Sequence, residues 1–255
     1  MAGQVKTYGR NACRALFEAR PADLRRVWLT EDAMGPFGDV LRELAHQRKP
    51  YKLVPPGELE RVAGAKHHEG ICILARERTQ PSFEELRGSV VGASPARLLY
   101  CDGIGNPHNL GAILRVGAHF GAAGVLGRQG EMPSLSAAAR RVAEGAAERV
   151  PVVPLDAPDR ALEALRADGF AILATAAGGE RDLFTETIPA RVVFLLGAER
   201  TGLSDATRRT ADRTVRIGGT GAVESLNVAT ACAVLLAEHW RAHGTAPPGD
   251  PGTPR

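Results

Sequence analysis

The 255-residue sequence predicts an α/β protein: a larger domain on a mostly parallel sheet, preceded by a small α/β unit. Three observations carry this. Short apolar runs of strand length alternate with stretches of helical period, the order that gives parallel strands with helices on both faces. The alternation stops over residues 76–95, which mix charge, Pro and Gly, and restarts at Arg97. The chain is also long enough for two cores, since domains run about 100–150 residues. The expected division is residues 1–78 as the first domain, 79–95 as a linker, 96–242 as the second domain and 243–255 as a disordered tail rich in Gly, Pro and Thr.

In the first unit the periodicity predicts a helix over 11–19, a strand over 24–29, a helix over 39–47, and strands over 51–54 and 71–75. In the second it predicts strands at 97–101, 124–126, 150–153, 170–174 and 192–196. Helices are expected at 108–120, 136–144 and 157–167, with a long final one over 225–240.

Composition excludes several classes. The sequence is 44% hydrophobic and 24% charged, with a net charge of +3. No apolar run approaches the roughly 20 residues of a membrane span, and the N-terminus lacks an apolar signal core, so a cytoplasmic protein without membrane association is expected. Cys13, Cys72, Cys101 and Cys232 show neither zinc-ligand nor disulfide-framework spacing. His67 and His68 have no matching ligands, so no metal is expected. Residues 1–80 carry 14 Lys+Arg against 10 Asp+Glu, an excess compatible with phosphate recognition and with an ordinary solvated surface.

Three loop clusters could carry chemistry. In the first, Asp102 ends a strand and a Gly/Asn/Pro turn leads into a helix bearing Asn109 and Arg115. Leu110, Ile113, Leu114 and Gly117 make its apolar face, and His108, Ala112, Arg115 and His119 the opposite one. Arg115 is either a solvated arginine or an anion clamp. The second runs from a buried strand into Gly197, Glu199, Gly202 and Ser204, the last reading as a helix N-cap. The third is the Gly-rich loop from Ile217 to Glu224, Ser225, Leu226 and Asn227, with Ser225 expected to cap the final helix. That helix is apolar nearly all round, which suits a dimer interface or a deeply packed core helix. Asn227 in its first turn is either a structural bridge or part of a site.

Together the clusters resemble the three motifs of the SpoU/TrmH family of RNA ribose methyltransferases. Asn109-x-Gly111-x-x-x-Arg115 is similar to the first, Leu196-Gly197-Ala-Glu199-Arg-Thr-Gly202-Leu203 to the second, and Ile217 through Asn227-Val228 to the third. The resemblance covers residues 98–238; residues 8–75, through Tyr8-Gly9-Arg10-Asn11-Ala12 and His68-Glu69-Gly70-Ile71, are more loosely similar to the family's ribosomal-protein-like substrate-binding domain.

The resemblance implies a SPOUT domain with a deep trefoil knot, an exception to unknotted topology. It also implies bound S-adenosylmethionine, methyl transfer to a ribose 2′-hydroxyl in rRNA or tRNA, with rRNA favoured, and a homodimer formed through the C-terminal domain. By carry-over Thr175, Gly197, Ile217 and Leu226 contact the cofactor, and Arg115, Asn109, Glu199, Ser225 and Asn227 are the catalytic set. Arginine stays protonated in proteins, so Arg115 is expected as a phosphate clamp and electrostatic stabiliser rather than a base. The third motif departs from the family's Ile-Pro: Gly218-Gly219 follows Ile217, which frees the loop.

Two other classes compete. A non-catalytic RNA-binding or ribosome-assembly protein would tolerate decay of motifs that are intact here. A nucleotide-cofactor oxidoreductase would need Gly where His108 stands. In the N-terminal unit Arg10, Arg14, Arg25, Arg26 and Lys66 are candidate phosphate contacts, while Phe17, Trp28 and Phe37 read as core because nothing in the sequence sets them beside basic residues.

Overall fold

A computed structural model describes residues 3–179 and 181–244. The chain packs as two compact units, each discontinuous. The first takes residues up to 81 together with 105–118 and 133–152, and the second takes 82–104, 119–132 and the chain from 153 onward.

The first unit opens with strand β1 (Gln4–Tyr8), helix α1 (Arg10–Ala19), β2 (Leu24–Leu29), α2 (Gly38–His46), β3 (Tyr51–Leu53), α3 (Pro56–Ala63) and β4 (Ile71–Arg76). The strands form a sheet in the order β1-β4-β2-β3, antiparallel where β4 pairs β1 and β2, and parallel between β2 and β3. Val27, Leu29, Ile71 and Ile73 on one face pack with Leu16 of α1 and Val40 and Leu44 of α2, all fully or nearly fully buried. On the other face Tyr8, Cys72 and Trp28 meet Leu59, Val62 and Ala63 of α3. Periodicity alone missed β1 and α3, which are only five and eight residues long.

In the second unit α4 (Phe83–Val90), β5 (Ala96–Asp102), β6 (Gly124–Arg128), β7 (Val152–Leu155), α7 (Pro158–Ala167), β8 (Ala171–Thr175), β9 (Arg181–Asp182), β10 (Arg191–Gly197), α8 (Asp205–Arg209), β11 (Arg213–Arg216) and α9 (Val228–His243) follow in chain order. Helices α5 (Pro107–His119) and α6 (Ala137–Val142) belong to the first unit. The seven strands lie in the order β7-β6-β5-β10-β8-β11-β9, and the pairings from β6 through to β9 are all parallel. This is the expected mostly parallel α/β sheet. Strands β5 and β10 at its centre are buried almost throughout, with Leu98, Tyr100, Val193 and Leu195 in the main core.

Strands β9 and β11 are absent from the sequence reading, and three further features differ from it. The segment 79–95 is not irregular throughout: Ser82 and Glu85 form a reciprocal capping box that starts α4, and Leu86 and Val90 enter the second unit's core. A two-oxygen ion pair from Arg87 to Asp168, at 2.7 and 2.9 Å, holds α4 to the end of α7. The last helix begins at Val228, so Ser225 does not cap it. Asn227 does, because its Oδ1 accepts the amides of Ala229 (2.9 Å) and Thr230 (3.3 Å). At the other end α9 runs on to His243, whose Nε2 lies 2.6 Å from the Ile188 carbonyl oxygen; the rest of the expected tail, from 245, lies outside the described residues.

All four cysteines are buried free thiols. Among the described residues no helix is long and apolar enough to cross a membrane, and no cluster of His, Cys, Asp and Glu could hold a metal. His68 has a structural role: its Nδ1 accepts the Gly70 amide at 3.1 Å.

Candidate active site

In an open parallel sheet, ligands settle at the carboxyl ends of the strands where the strand order switches direction. From β5 the chain moves outward to β6 and β7 on one side, then resumes at β8 on the other, and β10 later fills the gap between them. The switch point therefore lies at the carboxyl ends of β5, β10 and β8, occupied by Asp102, Gly197 and Thr175. Gly197 pairs directly with Asp102, and Thr175 donates its hydroxyl to the Leu195 carbonyl at 2.8 Å.

The loop after β10 is tight. Ala198 and Gly202 bridge each other, with N–H to O distances of 3.1 and 2.8 Å, leaving Glu199, Arg200 and Thr201 exposed at the tip. Gly202 takes a left-handed φ of 66°, and a Cβ on Gly197 would stand 2.3 Å from the Gly202 carbonyl carbon. Only glycine fits there. At the loop's exit, buried Asp102 accepts the Ser204 amide at 2.7 Å. Ser204 in turn caps α8 by accepting the Thr207 amide at 3.2 Å, as its sequence position suggested. The sequence displayed Asp102 at a strand end, but its anchoring role depends on a partner 102 residues away.

The third loop meets the second through one hydrogen bond: Asn227 Nδ2 donates to Glu199 Oε1. One asparagine thus caps α9 with its oxygen and holds the Glu199 carboxylate with its nitrogen. Ile217 is half-buried and Ser225 exposed, while Leu226 is 44% and Val223 71% exposed, apolar side chains held in solvent on a loop. Nothing crowds the positions beside Gly219 and Gly221, so the backbone there is open to a ligand. Exposed apolar side chains next to accessible backbone amides and carbonyls suit an adenine-bearing ligand, which takes apolar contact on its ring faces and hydrogen bonds at its edges.

The first motif lies in the first unit. Asn106 Oδ1 accepts the His108 amide at 2.9 Å and so starts α5. On α5 Leu110, Ile113, Leu114 and Gly117 are buried, while His108, Arg115 and His119 are exposed, the two faces expected from the period. Asn109 is half-buried; Arg115 forms no ion pair among the described residues. Gly111 is the contact point with α6, since a Cβ there would come within 2.5 Å of the Ala139 carbonyl oxygen. The structure thus joins Glu199 to Asn227 and aligns Thr175 and Gly197 on neighbouring strand ends, whereas Asn109 and Arg115 share one helix in the other unit.

A second group was missed by sequence reasoning. Arg141 of α6 pairs with both Glu69 and Glu144, and Asn11 Nδ2 donates to Glu144 at 2.6 Å. Arg10 donates its amide to Glu69 at 2.8 Å and pairs with Asp32. Glu69 and Glu144 both hold left-handed backbones, with φ of 53° and 51°, a costly conformation for a non-glycine residue. The Gly9-Arg10-Asn11 and His68-Glu69-Gly70 stretches therefore serve to join the N-terminal strands to α6.

The strand-end loops place the chain in the class of open parallel α/β proteins that take a ligand at a topological switch point. The comparisons narrow this class. The SpoU rRNA Methylase family matches residues 96–237, and the RNA 2′-O ribose methyltransferase substrate binding family matches residues 7–81. The chain is 38% identical over 240 residues to an uncharacterized tRNA/rRNA methyltransferase, YfiF, of Escherichia coli O157:H7, covering 94% of this chain and 69% of that protein. It is 32% identical over 243 residues to the 23S rRNA (guanosine-2′-O-)-methyltransferase RlmB of Pseudomonas putida, covering 92% and 96%. Among solved structures, the SpoU methyltransferase AviRb from Streptomyces viridochromogenes in complex with AdoMet shares the fold, with a TM-score of 0.74 at 22% identity over 94% of this chain and 90% of that one. The chain belongs to the SpoU rRNA methylase family.

Gly197→Ala is expected to weaken S-adenosylmethionine binding at least tenfold, because the added methyl forces the Ala198–Gly202 bridge open. Isothermal titration calorimetry checks this; unchanged affinity would remove the loop from the cofactor site.

Proposed function

We propose that the chain methylates a ribose 2′-hydroxyl of ribosomal RNA, with transfer RNA the second reading. The observation that carries the proposal is the Asn227–Glu199 hydrogen bond, which joins two motif loops of a methyltransferase family at the carboxyl edge of its sheet. The relatives named 23S rRNA methyltransferases, aligned over nearly their whole length, favour ribosomal RNA.

In this reading Thr175, Gly197, Ile217 and Leu226 hold the cofactor, largely through backbone groups and apolar contact. When bound, S-adenosylmethionine supplies an electrophilic methyl group. The chain's own task is the nucleophile, a weakly acidic hydroxyl that must be positioned and stabilised as negative charge grows on its oxygen. Arg115 clamps the adjacent phosphate and offsets that charge. Asn109 and Ser225 hold the nucleotide, and Glu199, oriented by Asn227, directs the donors around it. The chain acts in the cytoplasm, with residues 1–78 selecting RNA and 96–242 forming the knotted catalytic domain.

We place a homodimer contact on α9. Its Trp240 is 37% exposed, an apolar ring at the surface of a largely buried helix, with the buried Arg97 guanidinium 5.4 Å from the ring centre. A second copy would cover the ring.

The test is methyl transfer from labelled S-adenosylmethionine to ribosomal and transfer RNA pools of a strain lacking the gene, followed by mapping of alkali-resistant ribose sites. One labelled nucleotide in ribosomal RNA is the expected result. Label confined to transfer RNA would replace the substrate, and no label in naked RNA or assembling ribosomal particles would overturn the reading.

A further inference from the structure

The cations that sequence reading singled out in the N-terminal unit are not equally available. Arg10 is committed to Glu69 and Asp32, and Arg14 to Asp39 and the Pro36 carbonyl, with its guanidinium 4.8 Å from the Phe37 ring centre. Both are engaged in holding the fold together. Arg26 is not: it has no carboxylate partner among the described residues, and its guanidinium lies 5.4 Å from the Trp28 ring centre. Phe37 is core, as the sequence suggested, but both rings also sit beside basic side chains; Arg26 and Trp28 do so because residues two apart on a strand share a face.

Strand register extends this pair into a surface. Lys6, Leu74 and Arg26 form one row across β1, β4 and β2; Tyr8, Cys72, Trp28 and Lys52 form the next, reaching the edge strand β3. Helix α3 covers the second row only in part, burying Tyr8 and Cys72 but leaving Trp28 half-buried. The first row stays open: Lys6 and Arg26 are exposed on either side of half-buried Leu74. Lys6 donates to the Val62 carbonyl at 2.6 Å, which fixes its ammonium above the sheet without neutralising it. Arg76, paired with Gln4 one row further, is 52% exposed and 3.9 Å from Asp23, and Lys52 is 56% exposed and paired with Glu58.

A sheet edge beside α3 with cations at both ends of its open row and a half-buried indole beneath an arginine offers an unpaired polynucleotide both kinds of contact. Phosphates pair with the cations, and a base stacks on the guanidinium–indole pair. We propose that this face, built on Lys6, Arg26 and Trp28, is where the N-terminal unit docks a single-stranded segment of the substrate RNA. The proposal rests on the RNA methyltransferase reading and deepens it by assigning the docking surface.

The test uses the full chain and a fluorescently labelled single-stranded RNA oligonucleotide. Lys6→Glu/Arg26→Glu is expected to weaken binding at least tenfold and to reduce the slope of log affinity against log salt by about 1.4, since each phosphate contact on a single strand contributes about 0.7. Lys6→Arg/Arg26→Lys should bind within about twofold of wild type, and all variants should bind S-adenosylmethionine normally. In Trp240→Phe, where Trp28 is the remaining tryptophan, the RNA should quench indole emission. Wild-type RNA binding with an unaffected charge-reversal variant and no quenching would overturn the docking surface while leaving the enzyme reading intact. Loss of RNA binding and methyl transfer in the wild type itself would overturn both.

Discussion

Replacing Arg115 by alanine is expected, on the proposed role, to lower kcat for methyl transfer by about 10²–10³-fold, the cost of removing one preorganised charge from a site where negative charge develops, and to leave S-adenosylmethionine affinity unchanged. The side chain is exposed on the polar face of α5 and makes no ion pair among the described residues, so its removal disturbs no packing. Arg115→Lys restores only part of the rate, because an ammonium is a point charge without the planar fork that grips a phosphate. Single-turnover kinetics with the mapped RNA substrate separate the chemical step from binding. Near-normal turnover in the lysine variant would remove the clamp role, and near-normal turnover in the alanine variant would remove Arg115 from the site.

The second large effect is on stability. Glu148→Gln is expected to destabilise the protein by about 3–5 kcal/mol, the usual cost of leaving a buried charge without its partner, and to lower Tm by about 10 °C for a chain of this size. Glu148 is the shared anion of two arginines: Arg20 at the end of α1, through Nε at 2.9 Å, and Arg140 on α6, through Nη1 at 3.4 Å. The side chains of Glu148 and Arg140 are 4% and 3% exposed, and burial pulls the Arg140 guanidinium below its ordinary value. Without the carboxylate, Arg140 has no anionic partner among the described residues, while Arg20 keeps Asp23 at 2.9 Å. Differential scanning calorimetry at neutral pH reads the loss; a Tm within about 2 °C of wild type would show that the charges are neutralised elsewhere.

Much of this could be read along the chain. Helical and strand periods placed β2, α5, α7 and the central strands β5 and β10 to within a residue or two, because these elements bury one face or both in a core and must keep the matching period. The wording of three loops identified the chemistry. It is legible because the residues of each motif stand close together in sequence, so the three motifs in their order resemble those of one family. Helix α4 escaped because its start lies in a capping box and its burial in a core drawn from distant strands, neither of which produces a sustained period over eight residues.

What the sequence by itself determined was the fold class, the alternation of elements and the family. The first two follow from local pattern, and the family from the order and wording of three motifs, each of them local in sequence. The tertiary structure alone decided that Asn227 rather than Ser225 caps α9, that it does so while holding Glu199, and that Asp102 anchors the loop after β10. It also decided that Arg10 and Arg14 are bound to carboxylates while Arg26 stands over an indole. The physical reason is common to all of these. A charged or hydrogen-bonding side chain is defined by its partner, and the partner is brought close by strand register and helix packing, which the order of residues along the chain does not show.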